Sequence, residues 1–303
     1  VSRAFRTDHT EHVVSPEEFE RAFWSVQRHA GEPIGDPAFI PLLCLARRTR
    51  EKVTVVLSGE GADELFGGYG RYVDVLGRHD EPTPEAAARY LEACAYFVAD
   101  APLAVGLTAG LTGPDTRAAL AARLTAPDAG RDLLDRMLRF DLDTWIPDDL
   151  LVKADRMGMA HSLEVRVPFL DVPLLEHVFA LPARLKIVRG TRRRLFGGDE
   201  ETWRVKHLLK EIARPLLPAK VVDREKMGFP VPVRRLLKGP LRSLAREVLA
   251  ESDLEAAGIL DPAHVRRLVD RFLQEGKSSW PVWSLLCFEL WRRAWRDELA
   301  AAP

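Results

Sequence analysis

Apolar positions recur three to four residues apart over residues 16–30 and 37–50. That period predicts two amphipathic helices, opened by Pro16 and Pro37, which suit a first helical turn. The period then changes. KVTVVL, residues 52–57, is β-branched and almost continuously apolar, which predicts a strand buried on both faces. A weaker strand is expected at EHVV, residues 11–14, and a short extended piece in LEVRVPFLD, which ends at Pro168 because the residue before a proline avoids the helical region. Beyond residue 83 helical spacing dominates: a helix opening in IPDDLLVKADRMGMAHS, then others near 171–180, 202–213, 239–250, 262–274 and 279–299. In the last of these, Trp283, Leu286, Leu290 and Trp295 share helical spacing and read as core contacts. Loops are expected near 79–84, 100–115, 189–201 and 252–261, with RGTRRRLFGGDEE (189–201) as a solvated loop. No internal repeat is present. The pattern predicts an α/β chain in which residues 1–75 form a parallel-sheet core and residues 76–303 a helical lobe that completes one functional unit.

Composition narrows the class without naming a function. The chain has 303 residues, 47% hydrophobic and 29% charged, the profile of a globular protein. A formal net charge of −1 gives no global field for nucleic acid or an anionic membrane. No apolar run reaches the length of a membrane span, and no leader-like segment opens the sequence. Cys44, Cys94 and Cys287 lie far apart without a CxxC pair, which fits reduced thiols and a cytoplasmic setting. The chain has no asparagine, hence no glycosylation sequon. It starts at Val1, not Met, and VSRAFRTDHTEHVV reads as the middle of a longer protein.

Chemistry concentrates after the predicted strand, in SGEGADELFGGY. Ser58, Gly59 and Gly61 offer backbone N–H groups that a phosphate or ribose can approach without a Cβ in the way. The turn is not a Walker A loop, since no Gly-Lys-Ser/Thr follows, and Val56 rules out a nucleophile elbow. A dinucleotide fingerprint fails at Glu64, where its third glycine belongs. What remains is a nucleotide turn with its own acids. Carboxylates tolerate phosphates only with a cation between them, so Asp63 reads as a Mg²⁺ ligand and Glu60 as a group that handles a proton or an amine. Glu64 reads equally well as an acid favouring the positive end of a helix over 63–70. From the residues alone, Lys226 is a surface lysine, and Lys153 forms an ordinary helix ion pair with Asp149, four residues earlier. Arg166 either binds a substrate carboxylate or pairs with an acid such as Asp171. His9 and His12 have loose ligand spacing but no third ligand close by.

Three long segments, VTVVLSGEGADELFGGY, WIPDDLLVKADRMGMAHSLEVRVPFLD and REKMGFPVP, together resemble the synthetase domain of glutamine-hydrolysing asparagine synthetases. EPIGDPAFIP and WSLLCFELWRRAW look like further segments of that family, so the likeness covers nearly the whole chain. It implies a partial adenine-nucleotide alpha-hydrolase-like (PP-loop ATPase) parallel sheet with a large helical lobe. It implies that ATP and aspartate give β-aspartyl-AMP and pyrophosphate, which ammonia derived from glutamine converts to asparagine. On that likeness Ser58, Gly59 and Gly61 contact ATP, Glu60 serves adenylation and ammonia attack, Asp63 meets Mg²⁺–pyrophosphate, and Lys226 neutralises charge during adenylation. Lys153, Asp155, Glu164 and Arg166 are substrate-binding or structural, and a homodimer is among the expected assemblies. The stretch lacks the family's N-terminal glutaminase domain and its SGGxDS pyrophosphate loop, so these residues alone are expected to be inactive. Its 189–201 loop is longer than the family usually carries. Two alternatives stay open. One is adenylation of another carboxylate, as in β-lactam synthetases, where a tyrosine can stand at the position of Glu60. The other is a non-catalytic nucleotide-binding relative, against which the joint presence of Glu60, Asp63 and Lys226 speaks.

Overall fold

The computed structural model describes every residue except 95–115, 128–131, 194–198, 225, 227, 229, 230, 251–253, 255–257, 278, 302 and 303. Three of the expected loops meet those gaps: 100–115 lies outside the described residues altogether, and 189–201 and 252–261 lie partly outside them. Leaving aside single-turn helices, the chain begins with α1 (Pro16–Ala30) and α2 (Phe39–Arg50). Local chemistry sets the limits of α1. The Ser15 hydroxyl accepts the Glu18 N–H at 3.2 Å, Pro16 occupies the first turn, and Gly31 at φ 80° closes the helix. Strand β1 (Val55–Leu57) follows, then α3 (Ala62–Phe66), α4 (Gly70–Leu76), α5 (Pro84–Cys94), α6 (Thr116–Thr125) and α7 (Leu133–Asp143). A π-type turn, Ile146–Leu150, leads into α8 (Leu151–Met159), β2 (Glu164–Arg166) and α9 (Val172–Ala180). A hairpin, β3 (Val188–Arg193) and β4 (Asp199–Arg204), precedes α10 (His207–Ala213), α11 (Val233–Lys238), α12 (Arg242–Val248), α13 (Pro262–Glu275) and α14 (Ser279–Ala301).

The fold is mixed α/β and dominated by helix. β1 and β2 pair in parallel, Val55 opposite Glu164 and Leu57 opposite Arg166, which joins one strand from the first 75 residues to one far downstream. The largest apolar core also crosses residue 75. Phe23, Phe39 and Ile40 of α1 and α2 pack with Leu237, Val265, Trp283 and Leu286 of the last helices. Trp283 stacks on Phe23 with ring centroids 4.7 Å apart. Of the positions expected in that core, Leu290 is also fully buried, whereas Trp295 is half-buried. A second core joins Tyr72, Tyr90, Leu134 and Met137, and a small third one joins Leu65, Phe66 and Val178. No helix among the described residues is long and apolar enough to cross a membrane.

Four expectations need correction. Residues 11–14 carry no strand, and Val13 is 88% exposed, because EHVV has no neighbouring strand to pair with among the described residues. The strand expected over 52–57 shortens to 55–57 and is not buried on both faces; Leu57 is 74% exposed, since β2 is its one paired strand among the described residues. The described residues of 189–201 are strand instead of loop, in antiparallel register with Thr191 opposite Glu201 and Arg189 opposite Trp203. The Arg189 guanidinium lies 5.6 Å from the Trp203 ring centre, a cross-strand contact that charge counting along the chain does not reveal. Because β4 runs to Arg204, the helix expected from 202 starts only at His207.

Candidate active site

Glycines shape the turn after β1, but for different reasons. The Ser58 N–H donates to the Arg166 carbonyl at 2.8 Å, so the turn leaves from the end of the parallel pair. At Gly59 an added Cβ would meet nothing within 4 Å, leaving open space over the backbone. At Gly61, φ is 89° and an added Cβ would fall 2.3 Å from Leu170 Cδ2, so only glycine fits. Helix α3 then carries Asp63 and Glu64 in its first turn.

Asp63 gathers two lysines from distant parts of the chain. Its Oδ1 lies 2.9 Å from Lys206 Nζ and its Oδ2 2.6 Å from Lys226 Nζ. Lys206 stands just before α10 with φ 52°, a left-handed backbone that side chains other than glycine seldom adopt. Gly68 makes room for the contact: a Cβ there would lie 1.8 Å from Asp63 Oδ1 and 2.3 Å from Lys206 Cε. Lys226 Nζ also sits 4.9 Å from the centre of the Tyr69 ring. The Tyr69 hydroxyl in turn donates to Glu64 Oε1 at 2.5 Å. Glu64 therefore does more than face a helix dipole. It is 1% exposed, burial pushes its carboxyl up, and it anchors the ring beneath Lys226.

A second charged group surrounds Lys153 on α8. Its Nζ is 2.7 Å from Asp36 Oδ2 and 3.4 Å from Asp149 Oδ2, with only 10% of the side chain exposed. The main partner is thus Asp36, not the helix neighbour that sequence spacing suggests. Asp36 is held by the Ala38 N–H at 2.9 Å, and its neighbour Gly35 accepts the Trp283 indole N–H at 2.7 Å. Burial pushes the Asp149 carboxyl up to about 6, opposed by Lys153. Burial tends to lower Lys153, but Asp36 and Asp149 outweigh it and the ammonium is held above its ordinary range. Glu60 couples the two groups. Burial raises its carboxyl; Lys153 and Lys226 pull it down, while Asp63 and Asp36 push it up. Glu60 also lines a cavity of about 270 Å³ with Ser58, Val56, Ala154 and Gly158. At Gly158 a Cβ would fall 2.7 Å from the Leu163 carbonyl, so the glycine lets α8 close on β2.

The structure brings Glu60, Asp63, Lys153 and Lys226 into this one region, beside Ser58, Gly59 and Gly61. Asp155 is exposed and takes no part in it. Glu164 and Arg166 are exposed on β2 and pair with each other at 2.7 Å, a partner other than Asp171 for Arg166. His9 contacts Glu11 at 3.2 Å and His12 contacts Glu18 at 2.9 Å. Among the described residues no three His, Cys, Asp or Glu side chains form a metal-holding group. Asp36, Lys206 and Tyr69 are additional members that residue-by-residue reading does not single out. Asp36 lies in the recognisable segment EPIGDPAFIP, whereas nothing around Lys206 in the sequence marks it. Chemically the arrangement offers long-chain cations for an anion and a partly desolvated carboxylate suited to taking a proton.

Comparison with known proteins agrees with this arrangement of segments. The asparagine synthase family pattern matches residues 1–293. A Mycobacterium bovis protein, named as a candidate glutamine-hydrolysing asparagine synthetase, is 36% identical over 96% of this chain and 47% of its own length. Glutamine-hydrolysing asparagine synthetase 1 of Bacillus subtilis is 31% identical over 96% of this chain and 49% of its own. An amidase of Penicillium rubens is 23% identical over 80% of the chain and 41% of its own. The chain spans about half the length of the first two relatives.

Proposed function

The chain belongs to the asparagine synthase family, and on that premise we propose that the protein carrying it uses ATP to activate aspartate and transfers ammonia to the activated acid. In the first step an oxygen of the aspartate β-carboxylate attacks the α-phosphorus, the bond to the bridging oxygen breaks, and β-aspartyl-AMP and pyrophosphate result. In the second, ammonia derived from glutamine attacks the acyl carbon, a proton leaves the nitrogen, and AMP departs with its oxygen as asparagine forms. The observation that carries this reading is the clustering of Asp63, Lys226 and Lys206 within ion-pair distance, next to a half-buried Glu60 just past the end of β1.

Each residue has a role that its surroundings support. Ser58, Gly59 and Gly61 offer the nucleotide an open turn. Lys226, tethered by Asp63 and the Tyr69 ring, swings to the phosphate oxygens as charge moves onto the leaving group. Glu60, its affinity for protons raised by burial, accepts the proton from the attacking nitrogen. Lys153 keeps Asp36 and Asp149 from adding unbalanced negative charge beside Glu60. Asp63 has lysines on both oxygens, so a Mg²⁺ that arrives with the nucleotide phosphates would take an oxygen that a lysine releases. Bound there, Mg²⁺ would shield the charge of the phosphates.

The test is ATP–pyrophosphate exchange by the full-length protein. Exchange should require aspartate and disappear in Glu60→Ala. Exchange indifferent to aspartate but driven by another carboxylate would overturn the substrate assignment; activity retained in Glu60→Ala would overturn the role of Glu60.

A further inference from the structure

Asp141, near the end of α7, is 1% exposed and gathers donors from two other helices. Its Oδ1 accepts the Tyr90 hydroxyl of α5 at 2.6 Å. Its Oδ2 accepts the Tyr72 hydroxyl and, at 2.6 Å, Arg71 Nη2, both of α4. Arg71 is thereby fixed with 12% of its side chain exposed, yet its buried Nε finds no acceptor among the described residues. The guanidinium lies instead against aromatic faces. Its carbon stands 4.1 Å from the centre of the Tyr69 ring and 5.5 Å from that of Tyr72. Lys226 Nζ is 4.9 Å from the centre of the same Tyr69 ring. Two cations therefore share one ring, which joins the core around Asp141 to the reacting cluster.

The hydroxyl alone does not fix that ring. It lies on the axis about which the ring turns, so its hydrogen bond to Glu64 at 2.5 Å holds the tip and leaves the faces free to rotate. A planar cation stacked on one face sets the rotation as well. We propose that Arg71, held by Asp141, is a positioning residue for Lys226: it fixes the face of Tyr69 on which the ammonium rests. Asp141 has the second part of the task, since it cancels the charge of Arg71 and lets two cations use one ring. Arg71 acts through Tyr69 and touches no reacting atom. The proposal takes from the adenylation reading only the role of Lys226, whose starting position for the swing to the phosphate oxygens is set here.

Competitive acetylation of the full-length protein with trace acetic anhydride, followed lysine by lysine by mass spectrometry, tests this without turnover. Lys277, with 78% of its side chain exposed, is the reference, and Lys186, with 0% exposed, reports any opening of the fold. Arg71→Lys keeps a charge for Asp141 but loses the plane. It should raise the labelling of Lys226 relative to Lys277 by about three- to fivefold, as the ring contact is lost, with Lys186 still unlabelled. Tyr69→Leu should give a similar rise. Adding Arg71→Lys to it should then change Lys226 by less than about 1.5-fold, because Arg71 acts through the ring. Unchanged labelling of Lys226 in Arg71→Lys would overturn the proposal. So would a further rise on top of Tyr69→Leu, or labelling of Lys186 alongside, since either assigns Arg71 to general packing. Raised labelling of Lys226 in a protein without aspartate-dependent exchange would sink the functional reading and leave the positioning role standing.

Discussion

Replacing Lys153 with methionine preserves the apolar stem and removes one buried charge. The ammonium lies 2.7 Å from Asp36 and 3.4 Å from Asp149 with a tenth of its side chain exposed. At an effective dielectric constant of about 20, the two contacts correspond to roughly 6 and 5 kcal/mol of gross attraction. Desolvation of all three groups cancels much of that, and deleting one member of a buried pair leaves a net loss of about 3–5 kcal/mol. Urea unfolding followed by tryptophan fluorescence should report a loss of that size at neutral pH. The gap to wild type should narrow with acidification through the Asp149 pKa of about 6, because a protonated Asp149 no longer needs the lysine. Adding Asp149→Asn to the variant should recover part of the stability. A loss below about 1 kcal/mol, or a gap that ignores pH, would refute the view that Lys153 neutralises these acids.

In the wild-type background, Asp149→Asn probes the same group from the other side. With its carboxyl raised from 3.8 to about 6, the folded state binds the proton more tightly than the unfolded one. The stability this contributes is complete below 3.8 and fades as pH rises through 6, by up to about 3 kcal/mol at 1.36 kcal/mol per pH unit. The asparagine variant should flatten that slope, and an unchanged pH profile of urea midpoints would count against it. Gly68→Ala pushes a Cβ to 1.8 Å from Asp63 Oδ1, so aspartate-dependent exchange should fall by about a hundredfold or more, with little loss of helix content by circular dichroism. Full activity in that variant would show that the Asp63–Lys206 contact is dispensable. Trp283→Phe keeps a ring on Phe23 but removes the N–H to Gly35, at a cost of about 1–3 kcal/mol in unfolding. A variant as stable as wild type would remove Trp283 from the support of Asp36.

What the sequence discloses depends on how local the governing interactions are. The helices at 16–30, 262–274 and 279–299 announce themselves by their period and caps, and the structure ends them within a few residues of the expected limits. The 189–201 hairpin does not, because its register rests on cross-strand neighbours such as Arg189 and Trp203, fourteen positions apart along the chain. β1 misleads for the opposite reason: its apolar run fits a strand covered on both faces, yet Val55 and Leu57 remain exposed. In the candidate site, the motifs containing Glu60, Asp63 and Lys226 are recognisable as motifs and do meet in space. Asp36 gains its importance only from Lys153, which is distant in the chain. Lys206 depends on a left-handed backbone and a neighbouring Gly68, neither of which has a signature at Lys206 itself. Glu64 shows how one position can satisfy a simple rule about helix ends while being held by a tyrosine five residues on.

The packing of α1 and α2 against α14 has a consequence for the order of events at the ribosome. Phe23, Phe39 and Ile40 leave the ribosome about 250 residues ahead of Trp283 and Leu286, which complete their core. At synthesis rates of about 5–20 residues per second, α1 and α2 wait roughly 10–50 s for these partners. During that interval their apolar faces have no native cover from α14, and the Trp283 clasp that steadies Gly35 does not yet exist. The cluster around Lys153 therefore reaches its final support only after Trp283 has been made, well after Asp36 and Lys153 themselves.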